Sequence, residues 1–90
     1  MKAEIKDTKK IVLDIVSNIV LKRRKNLVRP EANIRTELGL DSIKMIAISA
    51  MLIEHGIDVN SEDYNVDFSK IETVQDIIDI TDEIVKLEKN

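Results

Sequence analysis

The sequence predicts an all-α fold, and three observations carry that prediction. Apolar residues recur at three- and four-residue intervals in separate segments, the spacing of a buried helical stripe. The apolar content is 43%, yet Tyr64 and Phe68 are the aromatic residues, so the core must be aliphatic. Pro30, Gly39 and Gly56 fall between the periodic segments and not within them, where they punctuate helices instead of breaking them.

At 90 residues the chain is expected to form one domain spanning residues 1–90, too short for its core to split and without cysteine for a disulfide staple. The first helix is expected to be long, with Ile5, Val12, Ile15, Val16 and Ile19 on one face and Lys6, Lys10, Asp14 and Ser17 opposite. Its end falls between Leu21 and Lys25, because Leu21 would face outward on a straight helix. A loop over residues 26–40 follows, since Pro30 biases Arg29 away from helical angles and Gly39 admits a tight turn. A structureless loop of that length is unusual, so Val28, Ile34 and Leu38 are expected to anchor it, with a short turn near residues 32–37.

The second helix is expected from Ser42 to about His55, capped by Asp41 and stopped by Gly56. It carries two apolar stripes, one of Ile43, Ile46, Ala47 and Ala50 and another of Met45, Ile48 and Leu52, and a single neighbour can cover only one. Residues 57–64 read as a connection, and residues 66–71 as a short third helix burying Phe68 and Ile71. Thr73 then opens a last helix as an N-cap, with Asp76 at its third position and Val74, Ile77, Ile78, Thr81 and Ile84 on one face. Only residues 87–90 look ready to fray.

Composition excludes several functions. With a formal net charge of −3 the chain has no global basic field to gather nucleic acid. No segment approaches the roughly 20 apolar residues that span a bilayer, and Met1-Lys2-Ala3-Glu4 does not open a signal peptide, so the expected setting is cytoplasmic, without membrane contact. One histidine and no cysteine cannot build a Cys-His pair or a thiolate zinc site, and no calcium-loop pattern occurs, so no catalytic and no metal residues are expected. His55 would lie roughly 20 Å from Ser42 along one helix, too far to activate it, and its expected role is to complement the helix C-terminus. Lys22-Arg23-Arg24-Lys25 could touch phosphate, RNA or an acidic partner, but cations at a helix end also complement its negative pole.

Leu38-Gly39-Leu40-Asp41-Ser42-Ile43 sets a serine at the head of an apolar helix, where unpaired amides and the positive dipole end favour a phosphate ester. By residue type alone, Asp41 and Ser42 could be no more than capping residues. The stretch Glu37-Leu38-Gly39-Leu40-Asp41-Ser42-Ile43 nevertheless resembles the signature of the acyl and peptidyl carrier proteins. His55-Gly56-Ile57-Asp58-Val59 is similar to the end of that family's second helix, and Thr73-Val74-Gln75-Asp76 to the start of its last. The resemblance spans most of the chain.

It implies a four-helix bundle with a long loop between helices 1 and 2 and a short helix 3, and a carrier in place of an enzyme. It implies that Ser42 receives 4′-phosphopantetheine from coenzyme A and that Asp41 supports the modification, engaging the transferase's magnesium. The free-standing monomer would hold acyl or aminoacyl groups as thioesters. Its partners would be a phosphopantetheinyl transferase, an acyl- or aminoacyl-loading enzyme, and a condensing or tailoring enzyme. Carriers of fatty-acid synthesis have a strongly acidic second helix, whereas the outer positions here are Ile43, Lys44, Ile46, Ala47 and Ala50. That apolar partner face points to polyketide or nonribosomal-peptide biosynthesis over fatty-acid synthesis or a D-alanine carrier. The rival expectation is an unmodified helical interaction module that docks through the same face; the alternative to any partner face is that the stripe packs beneath the long loop.

Overall fold

The computed structural model describes residues 7–57 and 68–88, apart from the side chains of Phe68, Leu87 and Glu88. Helix α1 (Thr8–Ile19) begins where Asp7 accepts a hydrogen bond from the Lys10 amide at 3.1 Å, which satisfies one of the free N–H groups of a helix start. Val12, Ile15 and Val16 are buried, as their spacing predicts. The expected start near Ile5 lies outside the described residues.

The end of α1 differs from expectation. Val20 is extended at ψ 158° and turns its side chain into the core, so the helix stops before the cations and Leu21 is left exposed. No basic residue therefore lies in the last turn of α1. Lys22–Leu27 instead forms its own 3-10 helix, with Arg24 and Lys25 in its last turn.

The connection that follows is pinned rather than loose. Ala32, Ile34, Leu38 and Leu40 are buried, and Val28 packs against the core. Its backbone is stitched to the start of the last helix: Ile34 N–H donates to the Glu72 carbonyl at 2.9 Å, Val74 N–H to Ala32 at 3.1 Å and Gln75 N–H to Pro30 at 2.8 Å. An isolated bridge pairs Asn33 with Thr73. These bonds give a segment without regular structure partners for its amides and carbonyls.

Helix α2 (Ser42–Glu54) is capped by Asp41, whose carboxylate accepts from the Lys44 amide at 2.9 Å. It ends in a Schellman turn at Gly56, φ 85°, where Ile57 N–H donates to Leu52 O at 3.0 Å and Gly56 N–H to Ile53 O at 2.9 Å. Ile57 and Leu52 are both buried there, the hydrophobic contact that accompanies this turn. Residues 58–67, including most of the expected connection, lie outside the described residues.

The expected short third helix takes the form of a one-turn 3-10 helix, Phe68–Lys70, and Ile71 is buried after it. The burial expected for Phe68 lies outside the described side chains. Helix α3 (Val74–Glu88) opens with the predicted cap in reciprocal form: Asp76 N–H donates to Thr73 Oγ1 at 3.2 Å, and Thr73 N–H donates back to Asp76 Oδ2 at 3.1 Å. Its backbone stays helical through Glu88. Val74, Ile77, Ile78, Thr81 and Ile84 are buried on one face.

Helix α1 packs against both α2 and α3, and Thr8 Oγ1 donates to Asp82 Oδ1 at 3.1 Å to tie the first turn of α1 to α3. Each fully buried Ile or Leu contributes roughly 1.5–3 kcal/mol of transfer free energy, so the aliphatic cluster is the main source of cohesion. The fold is all-helical, as predicted, with no strand among the described residues.

Candidate functional site

Ser42 is the first residue of α2 and is exposed, as is Asp41 before it. Two features hold it out. Leu40 is buried and its amide donates to Ile34 O at 2.7 Å, which anchors the chain just before the helix. Gly39 turns at φ 67°, a conformation closed to most other residues. A Cβ at that position would stand 3.5 Å from Arg24 Nη1, an ordinary contact, so the dihedral and not space requires glycine there.

Arg24 braces the same turn, because its Nη1 donates to the Glu37 carbonyl at 2.8 Å in a part-buried bond. Glu37 is itself held: Oε1 accepts from the Asn33 amide at 2.8 Å and Oε2 from Arg29 at 3.1 Å. The Asn33 amide, followed by Arg29, lowers the Glu37 pKa below the usual carboxylate value despite some opposing desolvation. Asn33 Oδ1 accepts from the amides of Arg35 and Thr36, both at 2.9 Å, which forms the turn expected within residues 32–37.

A cavity of about 290 Å³ opens beside Ser42, lined by Ile34, Arg35, Leu40, Asp41, Met45 and Ser69 with Ser42 itself. His55 caps the far end of α2, which spans 13 residues, so the serine and histidine are separated as the sequence predicts. Among the described residues, no group of three or more His, Cys, Asp or Glu side chains is placed to hold a metal ion, and no helix is long and apolar enough to cross a membrane.

The two stripes of α2 are resolved by packing. Met45, Ile48 and Leu52 are buried, while Ile43 and Ile46 are 75% and 65% exposed. Ala50 is exposed, and Ala47 and Lys44 are half-buried. The outer stripe thus does not lie beneath the long loop. Ile53 extends it and was not singled out, although it follows Ile46 and Ala50 at helical spacing. Sequence reasoning also missed Arg24, Arg35 and Ser69, because their roles depend on segments brought together across the fold.

An exposed hydroxyl at a helix head, opening on a cavity with an aliphatic floor, fits a covalently tethered arm. The hydroxyl supplies the attachment atom, and the free amides and positive dipole end of α2 suit a phosphodiester anion. When bound, such an arm supplies the thiol that this cysteine-free chain lacks.

Comparison with known proteins agrees with that chemistry. Residues 11–81 match the family model described as "Phosphopantetheine attachment site". A protein of Syntrophobacter fumaroxidans described as "Acyl carrier protein" is 37% identical over 68 residues, covering 76% of this chain and 79% of that protein. No solved structure matches the chain significantly. With the family match running from within α1 to within α3, across the exposed serine and its cavity, the chain belongs to the phosphopantetheine-attachment family and is a carrier, not an enzyme.

Proposed function

We propose that Ser42 is the residue that takes the arm, and that the protein carries acyl or aminoacyl groups on it as thioesters. The observation that supports this most is the exposed Ser42 at the head of α2 beside its cavity. In modification, Ser42 Oγ forms a bond to phosphorus while the bond to the departing adenosine bisphosphate breaks. The hydroxyl proton passes to a base of the transferase, since His55 lies at the other end of α2. Asp41 caps the helix and adds a carboxylate beside the hydroxyl, suited to engaging the transferase's magnesium.

Carriers of this family meet a phosphopantetheinyl transferase and acyl-processing enzymes. For this chain we assign the meeting surface to Ile43, Lys44, Ile46, Ala47 and Ala50, an apolar face that complements apolar partner surfaces better than basic ones. That character favours a loading enzyme and a condensing or tailoring enzyme of polyketide or nonribosomal-peptide type. The test of attachment is intact mass after incubation with coenzyme A and a transferase. One phosphopantetheine unit should be gained by the wild type and none by Ser42→Ala. Equal gain by Ser42→Ala would remove the assignment, and no gain by either would favour the unmodified interaction module.

A further inference from the structure

Three cations close to the serine are not used within the fold. Residues 15–30 hold five cations and no carboxylate, in a chain whose formal net charge is −3. Helix α1 stops at Ile19 and Val20 is extended, so the cations begin a separate 3-10 helix, Lys22–Leu27. Lys22 and Arg23 occupy its first turn, the end at which a helix favours anions. Two of the five cations are committed internally: Arg24 donates to the Glu37 carbonyl at 2.8 Å, and Arg29 pairs with the Glu37 carboxylate at 3.1 Å. Lys22, Arg23 and Lys25 are exposed, and among the described residues none of them makes an ion pair or a side-chain hydrogen bond. Adjacent like charges repel, so their gathering costs the fold stability and returns none. Leu21 and Leu27 are exposed at the two ends of the same segment.

Arg24 fixes where this segment lies. Its guanidinium stands 3.5 Å from the position of a Cβ at Gly39, and the three residues from Gly39 to Ser42 span at most about 11 Å. A standard interface covers about 800 Å² of each partner, a disc reaching roughly 16 Å from its centre. An enzyme that closes over Ser42 therefore extends to the 3-10 helix. The other side of the serine has the same sign, since residues 42–53 contain Lys44 and no carboxylate. Of the acids nearby, Glu37 is held by the Asn33 amide and Arg29, and Asp41 is committed to the helix cap. An acidic protein surface complements this arrangement. RNA suits it less, because residues 15–30 hold no aromatic side chain on which bases could stack.

We propose that the exposed cations Lys22, Arg23 and Lys25, with Leu21 and Leu27, dock an acidic surface of the enzyme that loads the arm. The inference rests on the attachment reading above and names the chemistry of the partner. The cations act on the loop side of Ser42, and the apolar face of α2 makes the contact on the other side. Charge at such a rim steers the encounter and sets register, while the apolar face supplies the area that holds the complex.

The test uses a loading enzyme that acts on the wild-type carrier, with intact mass first showing that each variant bears the arm. Lys22→Glu/Lys25→Glu reverses two docking cations, and Lys9→Glu/Lys10→Glu makes the same change of net charge at exposed lysines of α1. The first pair should raise the KM for the carrier about tenfold at low salt and leave kcat unchanged, because rim charges act chiefly on encounter. The second pair should stay within about twofold of wild type. The loss should fade toward 1 M salt, where the screening length is only about 3 Å. An unchanged or lower KM in Lys22→Glu/Lys25→Glu, or equal losses in both pairs, overturns the proposal. Single-stranded RNA or phosphatidylglycerol vesicles that retain wild type more than this variant, with KM unchanged, would give the cations another partner and overturn it as well. Should the reversed pair not fold, Lys22→Gln/Lys25→Gln decides: about a threefold rise in KM supports the surface, and no rise refutes it. A wild type that gains no arm is a separate result, visible in the mass before any loading, and overturns the attachment reading instead.

Discussion

At Gly39, Asp41 and Thr81, single side chains, or their absence, have consequences that can be separated by experiment. Gly39→Ala should cost about 1–2 kcal/mol, since its left-handed backbone is strained for any residue with a Cβ. A urea denaturation midpoint would measure this. Asp41 has two roles that substitution can divide: Asp41→Asn keeps a capping acceptor and should leave stability nearly unchanged, whereas Asp41→Ala should lose about 1 kcal/mol. Both should slow modification at Ser42 if the carboxylate charge aids the transferase, and equal rates in Asp41→Asn and wild type would exclude that role. Thr81 is 1% exposed, and its hydroxyl has no hydrogen-bond partner among the described residues. Thr81→Val keeps the shape and removes the desolvated group, so it should stabilise the protein by about 1 kcal/mol. A lower thermal midpoint in that variant would show that the hydroxyl is satisfied in solution.

Elements are set by their ends as much as by their faces. The Asp76 carboxylate accepts from the amides of Glu72 at 2.9 Å and Thr73 at 3.1 Å, and these two bonds, in that order, lower its pKa. Glu37 is lowered in the same direction by Asn33 and Arg29. A carboxylate whose pKa is lower in the folded than in the unfolded state adds stability above its unfolded value, and that stability is lost as pH falls through the folded one. Acid should therefore loosen the start of α3 and the loop before α2 below about pH 4, where free carboxylates are already about half protonated. Amide hydrogen exchange should rise there in wild type, and Asp76→Asn should flatten the dependence at α3. On α2, Ile46→Glu falls on the exposed face and should change stability by less than about 0.5 kcal/mol. If that face meets partner enzymes, the same change should raise the KM of the loading enzyme for the carrier about tenfold, equivalent to roughly 1.4 kcal/mol of lost contact. An unchanged KM would move the partner surface elsewhere.

For the whole molecule, the loop before α2 is part of the core. Ile34 and Leu38 are fully buried and the loop backbone is bonded to the start of α3, so the segment that presents Ser42 is held by residues some 40 positions away. Leu38→Ala should cost about 2–5 kcal/mol, a large share of the roughly 5–15 kcal/mol that stabilises a typical domain. Its thermal transition should fall sharply, and a shift of only a degree or two would show that the loop folds independently of the core.

The aliphatic spacing of α1 and α3, the caps at Asp41 and Thr73, the stop at Gly56 and the exposed serine were all legible in the chain. Each depends on neighbours within about one helical turn, and local sequence carries that information directly. The end of α1 at Ile19 was not legible, because Val20 leaves the helix to bury its side chain in a core contributed by other elements. Periodicity alone did not choose between the two stripes of α2, since both have helical spacing; the family resemblance pointed to Ile43, Ile46, Ala47 and Ala50 as the outer one, and packing against α1 is what buries Met45, Ile48 and Leu52. Arg24 beneath Gly39, and Arg35 joined to Ile71, lay beyond the reach of any local pattern. Their partners are 13 and 36 residues away, so tertiary structure alone determines where those cations sit.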